Sequence, residues 1–211
     1  MYSSGESEED KGGTGFLKLV EASRNNGVLR AEIVVVVSNH AHGGVFTKAQ
    51  NLGIPFRHSP KGRTPEDHTR LVQEFGIEWT ALSGWLGCMA GHDPKTTFNI
   101  HPAVDLVKFG GKGMFGHHVH EAVWKSFLNR EITHTGVTMH FATEKYDDPS
   151  AIFFQRYIPL TRAFKNAETV GKVVNLVEQL WQAEITNRVV HRKITWGGKN
   201  AGSIVGSDIV V

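Results

Sequence analysis

The sequence contains one cysteine, no long apolar run and almost no net charge. Its single cysteine, Cys88, excludes an intramolecular disulfide framework and favours a reducing compartment, so we expect a cytoplasmic protein. No apolar run approaches the roughly 20 residues that a membrane-spanning helix requires, so we expect no membrane association. The 23 basic and 21 acidic residues leave a net charge of +2, which gives no sign of a nucleic-acid partner. The expected partners are therefore small molecules.

The chain has 211 residues, of which 40% are hydrophobic, and this is enough for one well-packed domain. Its first 13 residues are polar and acidic; they do not resemble a secretory signal, and we expect them to be mobile. Residues 1–211 are expected to form a single domain, because no internal repeat and no long linker divides them. A monomer and a homodimer are both compatible with the sequence.

Strand and helix patterns alternate along the chain. Ile33–Val37 is a run of five β-branched residues, typical of a strand buried on both faces of a parallel sheet. Thr64 and Pro65 form a helix start, with Thr64 as the N-cap and Pro65 at the first helical position. The alternation predicts an α/β fold with a doubly wound, mostly parallel sheet and helices on both faces. The other predicted elements are helices from Thr14, over Gly44–Leu52, from about His118 to Asn129 and over Glu168–Ala183, and strands at Trp79–Gly84, Thr97–Ile100, Thr135–Phe141, Ala151–Ile158, Arg188–Trp196 and Ile204–Val211.

The N-terminus departs from this pattern. A doubly wound domain usually opens with a buried strand ahead of its first helix. Here only Met1 and Tyr2 precede the small, polar stretch Ser3–Gly5. The first strand is therefore expected to be absent or cut short.

The densest group of chemically active side chains lies in residues 98–102. Asn99 and His101 alternate with Phe98 and Ile100, so on a strand the two polar side chains point to the same face. An amide donor and an imidazole at the carboxyl end of a sheet strand can stabilise a carbonyl oxygen that becomes negative when a nucleophile attacks. The alternative is structural, with both side chains satisfying backbone groups at the strand end.

A carboxylate, Asp147, follows the strand that contains Met139–Phe141. The sequence Asp147-Asp148-Pro149 is a loop signal, and it places the carboxylate just beyond a strand end. A carboxylate near an imidazole orients the ring, raises its pKa and relays a proton. The sequence makes Asp147 a candidate partner of His101 without showing that the two side chains meet.

In their order along the chain, these motifs resemble those of the phosphoribosylglycinamide formyltransferases over roughly residues 23–196. The matching motifs are Asn99-Ile100-His101-Pro102, then His118 and His120 at the opening of a helix, then His140-Phe141 followed by Asp147. The resemblance implies a Rossmann-type formyltransferase fold. It also implies transfer of a formyl group from 10-formyltetrahydrofolate to the amine of glycinamide ribonucleotide, a step of purine biosynthesis.

The resemblance also implies roles for individual residues. Asn99 and His101 would hold the oxyanion while the substrate amine attacks, and Asp147 would help to move protons. The ribose of the substrate would contact Glu178, although the helix pattern alone fits a solvated or capping role equally well. The residues implied for folate binding are Leu86, Gly87, Cys88, Phe141, Thr143 and Glu144.

The substrate phosphate is implied to bind at Gly13, Thr14 and Gly15, where a helix N-terminus and free backbone N–H groups attract an anion. The family's glycine-rich loop follows a strand directly, whereas here the acidic segment 6–10 intervenes and would repel a phosphate unless its side chains point away. Two alternatives therefore stay open. One is formyl transfer to another amine, such as an amino sugar nucleotide, and the other is a non-catalytic folate- or nucleotide-binding protein.

The sequence has 12 histidines, and His117, His118 and His120 stand close together. They could bind a transition metal through their imidazoles if Glu121 or His101 supplied a further ligand. Their spacing matches no strong zinc signature, and the family resemblance instead has them face the predicted catalytic site. We therefore expect no metal.

Overall fold

The computed structural model describes residues 1–5, 11–60, 64–87, 91–199 and 201–210. The helices are α1 (Thr14–Ser23), α2 (Gly44–Leu52), α3 (Pro65–Phe75), α4 (Leu106–Phe109), α5 (His117–Leu128) and α6 (Ala167–Val190). The strands are β1 (Val36–Ser38), β2 (Phe56–His58), β3 (Thr80–Ser83), β4 (Thr97–His101), β5 (His134–Phe141), β6 (Ile152–Pro159), β7 (Thr195–Trp196), β8 (Ile204–Val205) and β9 (Asp208–Val210). Strands and helices alternate through the first half of the chain, as the sequence predicts.

The N-terminal segment Met1–Ser4 lies in the middle of the main sheet. Tyr2 forms parallel bridges with Val37 of β1 and with Leu82 of β3, and its amide donates to the carbonyl of Ala81 at 2.9 Å. The order across the sheet is therefore β2, β1, the N-terminal segment, β3, β4, β5, β6 and β9. Of the two possibilities that the sequence raised, absence is excluded, because this short segment hydrogen-bonds on both of its edges.

The same segment corrects the prediction of a mobile N-terminus. Met1 is 8% exposed, and Tyr2, Ser3 and Ser4 are 1–2% exposed. The prediction is wrong for these four residues, because they occupy a central place in the sheet that no polarity pattern reveals. The acidic segment 6–10 lies outside the described residues.

The sheet combines parallel and antiparallel pairing, with helices on both faces. The pairs β1–β2, β3–β4 and β6–β9 are parallel, whereas β4–β5 and β5–β6 are antiparallel. Val36 packs in an apolar cluster with Phe16 of α1, and Val37 packs in another with Leu71 of α3. Because successive residues of a strand point to opposite faces, α1 and α3 cover opposite sides of the sheet. The predicted α/β fold with a mostly parallel sheet is confirmed.

The predicted start of α3 is confirmed in detail. The Thr64 hydroxyl accepts a hydrogen bond from the Asp67 amide, and the Asp67 carboxylate accepts one from the Thr64 amide at 3.0 Å. Pro65 is the first helical residue, and Gly76 ends the helix in the left-handed conformation. Capping by the local sequence therefore fixes both ends of this helix.

Helix α6 is longer than its sequence pattern indicates. The pattern predicts a helix over Glu168–Ala183 and a strand from Arg188, but the helix continues to Val190 and β7 begins only at Thr195. Ile185 and Val189, four residues apart, are fully buried in the main apolar core. Packing of this face holds β-branched residues in the helix, against their intrinsic preference for strands.

Strand β1 is shorter than predicted. The run Ile33–Val37 predicts a five-residue strand, but ladder pairing covers only Val36–Ser38. Its neighbour β2 spans three residues and sets this length. Val35 is nevertheless fully buried, so the apolar run marks burial more faithfully than it marks the strand bounds.

Candidate active site

A cavity of about 620 Å³ opens where the carboxyl ends of β3 and β4 meet the start of α1 and the middle of α6. This edge of a sheet is where α/β proteins place their ligands. The predicted site residues that line the cavity are Gly13, Thr14, Gly15, Leu86, Gly87, Asn99, His101, Thr143, Asp147 and Glu178. The fold therefore gathers residues that are up to 165 positions apart, from Gly13 to Glu178, around one space.

The carboxylate of Asp147 lies at the meeting point of the three residues predicted to be catalytic. Its Oδ1 is 3.4 Å from Asn99 Nδ2 and 3.5 Å from His101 Nδ1. Its Oδ2 accepts a hydrogen bond from the Gly111 amide at 2.8 Å. An amide, an imidazole and a carboxylate therefore share one corner of the cavity, which is the set of groups needed to stabilise an oxyanion and to accept a proton.

Strand β4 delivers two of these groups by simple alternation. Phe98 and Ile100 are buried in the main core, while Asn99 and His101 point to the other face and line the cavity. His101 is only 4% exposed, and its Nε2 lies 2.8 Å from the carbonyl oxygen of Phe109. That hydrogen bond places the ring N–H on Nε2, and it leaves Nδ1 facing the Asp147 carboxylate.

The loop at Asp147 brings its carboxylate close to the strand. Asp147 has a positive φ of 46°, a conformation that side chains adopt at a cost. Gly110 lies directly against it: a Cβ at Gly110 would stand 2.9 Å from the Asp147 Cβ and 2.4 Å from the Leu106 carbonyl oxygen. Only glycine at position 110 permits this approach, so a backbone contact helps to set the position of the carboxylate.

Burial and charge set the protonation states of this corner in opposite directions. Burial lowers the pKa of His101 below its usual range, although the Asp147 carboxylate and the Phe109 carbonyl oppose the change. Burial alone would raise the pKa of Asp147, but the hydrogen bond from His140 and the nearby charge of His101 outweigh it and hold that pKa below its usual range. Near neutral pH the imidazole is therefore neutral and the carboxylate is ionised.

His140 completes the corner, and the sequence reasoning did not include it among the site residues. It pairs with Asn99 across the β4–β5 ladder, and its Nε2 lies 3.3 Å from Asn99 Nδ2 and 3.3 Å from Asp147 Oδ1. Its Nδ1 lies 3.0 Å from the Phe141 carbonyl oxygen, which orients the ring. The sequence feature that could have indicated a role for His140 is its imidazole between two apolar residues, Met139 and Phe141, whose side chains are buried.

The start of α1 forms another part of the wall. Gly13 caps the helix with a left-handed backbone and without a side-chain hydrogen bond. Amide N–H groups at such a helix start are open to an anion. Gly15 is packed tightly, since a Cβ there would stand 2.1 Å from Ser83 Oγ and 3.1 Å from Gln182 Oε1. This stretch can therefore present backbone groups to a ligand at close range.

Glu178 lies on α6 and lines the cavity together with Asn175, Gln179 and Gln182 of the same helix. Its carboxylate accepts a hydrogen bond from Asn175 Nδ2 at 3.4 Å. Burial raises the pKa of Glu178 to about 7, against the opposing effect of that hydrogen bond. Part of the side chain still faces the cavity, so the raised pKa belongs to a carboxyl group that a ligand can reach.

The residues predicted to bind folate divide into three groups. Leu86, Gly87 and Thr143 lie in the cavity wall. Cys88 lies outside the described residues. Phe141 is fully buried and packs against Phe153 and Trp196, and Glu144 is exposed away from the cavity wall. The side chains of Phe141 and Glu144 therefore do not contact the cavity, because β5 turns Phe141 into the core and the following loop turns Glu144 to solvent.

Two histidines of the cluster at the start of α5, His117 and His120, line the cavity, whereas His118 does not. Burial, and after it the charges of His101 and His117, lower the pKa of His120 to about 4. His120 also touches the backbone of α6, since a Cβ at Gly171 would stand 2.7 Å from its ring. The prediction that these histidines face the catalytic site thus describes two of the three.

Comparison with known proteins identifies the family. The sequence profile described as formyl transferase matches residues 10–186. Among curated relatives, the chloroplastic phosphoribosylglycinamide formyltransferase of Vigna unguiculata is 32% identical over 195 residues, covering 88% of this chain and 60% of that protein. The corresponding protein of Arabidopsis thaliana is 29% identical, covering 88% of this chain and 64% of that protein. The chain thus spans about three-fifths of the length of these relatives.

Solved structures show the same fold. A phosphoribosylglycinamide formyltransferase of Coxiella burnetii superposes with a TM-score of 0.76 at 21% identity, covering 99% of this chain and 97% of that one. A formyltetrahydrofolate deformylase of Pseudomonas syringae superposes with a TM-score of 0.69 at 20% identity, covering 92% of this chain and 61% of that one. Together with the profile match over most of its length, this places the chain in the formyl transferase family.

Proposed function

We propose that this chain transfers a formyl group from 10-formyltetrahydrofolate to the amine of glycinamide ribonucleotide, in purine biosynthesis. The observation that carries the proposal is the position of Asp147, whose Oδ1 lies within 3.5 Å of side-chain nitrogens of Asn99, His101 and His140. Curated relatives that match 88% of the chain are named for this activity. The neighbouring cavity, at about 620 Å³, has the size of a small-molecule site.

The donor supplies an electrophilic formyl carbon, and the corner around Asp147 is suited to the two demands of its transfer. The first demand is to stabilise the negative charge that develops on the formyl oxygen. Asn99 offers a neutral N–H donor from a largely buried strand, and we propose that the formyl oxygen replaces one of its two long contacts, which run to His140 at 3.3 Å and to Asp147 at 3.4 Å. Donors held in advance in this way are usually the largest contributors to such reactions. We assign His101 to the same oxygen as a donor from Nδ1 once that nitrogen has taken up a proton, because the Nε2–H is already bonded to the Phe109 carbonyl.

The second demand is to remove a proton from the attacking amine. Asp147 is ionised near neutral pH and is therefore a competent acceptor. The neutral ring of His101 has its Nδ1 3.5 Å from the same carboxylate, so a proton can pass between the two groups. We assign to Asp147 the removal of the proton from the amine and its return to the folate nitrogen, which leaves as its bond to the formyl carbon breaks. We assign the orientation of Asp147 to His140 and Gly111.

The rest of the cavity fits the remaining parts of the two substrates. We assign the phosphate to Gly13, Thr14 and Gly15 at the start of α1, where backbone N–H groups and the helix dipole favour an anion. We assign the ribose hydroxyls to Glu178, whose side chain lines the same cavity. The folate then lies along Leu86, Gly87 and Thr143. The described structure favours neither of the two alternatives that the sequence left open.

A steady-state assay of the purified protein with 10-formyltetrahydrofolate and glycinamide ribonucleotide tests the proposal. Formation of formylated product at the rate of folate release supports it. Transfer only to an amino sugar nucleotide would show that this amine, and not glycinamide ribonucleotide, is the formyl acceptor. Binding of folate without transfer to any amine would support the non-catalytic alternative, and absence of folate binding would overturn every version of the proposal.

We infer that the protein acts on small molecules in the cytoplasm, as a monomer or a homodimer and without a nucleic-acid partner. Its single cysteine suits a reducing compartment. Among the residues that the structure describes, no helix combines the length and the apolar character needed to cross a membrane. The plant relatives carry a chloroplast location in their names. Cell fractionation tests the location, and recovery in an organelle would contradict the inference.

A further inference from the structure

We propose that His117, His118 and Glu121 form a binding site for a divalent transition-metal ion of the Zn²⁺ class at the rim of the cavity. Each of these residues offers one ligand atom, and the three atoms lie within 4.8 Å of one another. All three side chains are exposed. The site does not depend on the proposed formyl transfer, and it revises our expectation that the histidines bind no metal.

The helix brings these three residues together. They occupy the first two turns of α5, and residues three and four apart on a helix lie on one face. His118 Nδ1 is 4.0 Å from Glu121 Oε2, and the ring centroids of His117 and His118 are 3.9 Å apart. The backbone therefore holds the ligand atoms near each other before any ion binds.

Small rotations complete a coordination shell. In a tetrahedral zinc site with bonds of about 2.0–2.1 Å, ligand atoms stand about 3.3 Å apart. The separation between ligand atoms, which is at most 4.8 Å, therefore has to decrease by up to about 1.5 Å. Because the three side chains are exposed, rotation about their own bonds achieves this without movement of the core.

The donor set has the chemistry of a zinc site. In the described part of the chain, the ring nitrogens of His117 and His118 have no hydrogen-bond partner, and the one ion pair of His118 is with Glu121 at 4.0 Å. Two imidazoles and a carboxylate suit Zn²⁺, whereas Mg²⁺ prefers oxygen ligands alone. The positive end of the α5 dipole opposes a cation here, so the negative charge of Glu121 is essential to the site.

The position of the site links it to the cavity. His117 is part of the cavity wall, whereas His118 and Glu121 are not. An ion held by all three residues therefore sits at the rim, with its remaining coordination positions filled by water. Occupancy is expected to narrow access to the cavity and to lower turnover.

Titration of the purified protein with Zn²⁺ against a metal-indicator dye tests the site without any substrate. We expect one strong site in the unmodified chain, and binding weakened by at least about tenfold in His118→Ala and in Glu121→Gln, since losing even an outer partner of a metal costs that much. Co²⁺ bound in place of Zn²⁺ is expected to give visible absorption bands that both variants lose. Mg²⁺ is expected not to compete.

His42→Ala is the matched control. His42 is exposed, precedes the helix α2 and packs edge-on against Phe46 at 5.4 Å, much as His118 packs against Phe115 at 5.1 Å. It is expected to leave Zn²⁺ binding unchanged. Equal loss in His42→Ala and His118→Ala, or no loss in His118→Ala, would overturn the proposal and show adventitious binding by scattered surface histidines only.

A kinetic measurement then locates the site. One equivalent of Zn²⁺ is expected to lower turnover of the unmodified enzyme, and His118→Ala is expected to need at least about tenfold more. Identical inhibition of both proteins would place the inhibitory ion elsewhere and overturn the assignment. An absence of formyl transfer in every protein would speak against the proposed function, and the dye titration would still decide the metal site.

Discussion

The two ends of the cavity differ in how firmly each holds its carboxylate. Asp147 accepts a hydrogen bond from the Gly111 amide at 2.8 Å, has three side-chain nitrogens within 3.5 Å, and keeps a lowered pKa. Glu178 has one hydrogen bond among the described residues, at 3.4 Å, and burial raises its pKa to about 7. The end that we propose to be the reacting end thus has its polar contacts in place without a ligand. We propose that Glu178, at the α6 end, gains its further partners from the ligand.

Replacing the best-held group is expected to have the largest effect. Asp147→Asn keeps the size of the side chain but removes the proton acceptor, and we expect kcat to fall by about 10²–10⁴-fold. Steady-state kinetics with both substrates measures it. Asp148→Asn is the matched control, because the hydrogen bonds described for this neighbouring carboxylate run to Ser150 and Thr143 and not to Asn99, His101 or His140. A variant Asp147→Asn that folds and retains activity would show that the proton acceptor is another group.

Removing the amide donor comes next. Asn99→Ala is expected to lower kcat by about 10²–10³-fold with little change in folate affinity, because the donor acts on charge that exists only in the transition state. Gln179→Ala removes an amide from the α6 wall instead, and it is expected to raise the KM of the amine with kcat kept. Equal effects of both variants on kcat would remove the distinction between the two ends.

The α6 end is expected to respond to pH. Because the pKa of Glu178 is about 7, its ionised fraction rises roughly tenfold between pH 6 and pH 8. A carboxylate accepts hydrogen bonds from ribose hydroxyls better than a carboxylic acid does, so the KM of the amine is expected to fall by about that factor over this range. Glu178→Gln is expected to flatten the profile, and an unchanged profile in the variant would assign the pH dependence to another group.

Stability is expected to follow the same ionisation. The pKa of Glu178 is raised in the folded state. Its contribution to stability is therefore fully present below about pH 4.5 and is lost as the pH rises through about 7. The Tm of the unmodified chain is therefore expected to fall relative to Glu178→Gln between pH 5 and pH 8. Glu168→Gln on the same helix is the control, because Lys172 lowers the pKa of Glu168, so this group stays ionised between pH 5 and pH 8 and its Tm difference is expected to stay nearly constant there. A Tm difference that stays constant with pH would contradict the raised pKa.

The sequence predicts some features of the Asp147 end of the cavity and not others. The shared face of Asn99 and His101 can be predicted, because alternation along a strand is a local property. Their contact with Asp147 cannot be predicted in this way, because it depends on a loop with a positive φ at Asp147 and on the absence of a side chain at Gly110. The motif order supplied that pairing through family resemblance, and local rules would not have done so.

The fold shows the same division. The ends of α3 follow from capping residues, which act over three or four positions. The central place of Met1–Ser4 follows from edges offered by β1 and β3, which the local sequence does not contain. The length of α6 is likewise set by the core that Ile185 and Val189 enter, not by their own preferences.

The smallest effect on binding is expected at Phe141, which the sequence predicts to contact folate but which is buried in the core. Phe141→Leu removes part of a fully buried ring, so we expect a loss of roughly 1–2 kcal/mol in the free energy of unfolding. The KM for folate is expected to stay unchanged, because the side chain points away from the cavity. Leu86→Ala is the counterpart at the wall, where a lost apolar contact is expected to raise the folate KM by about tenfold. If Phe141→Leu instead raises the folate KM and leaves stability intact, the ring belongs to the folate site and the division between core and cavity wall at the end of β5 is drawn in the wrong place.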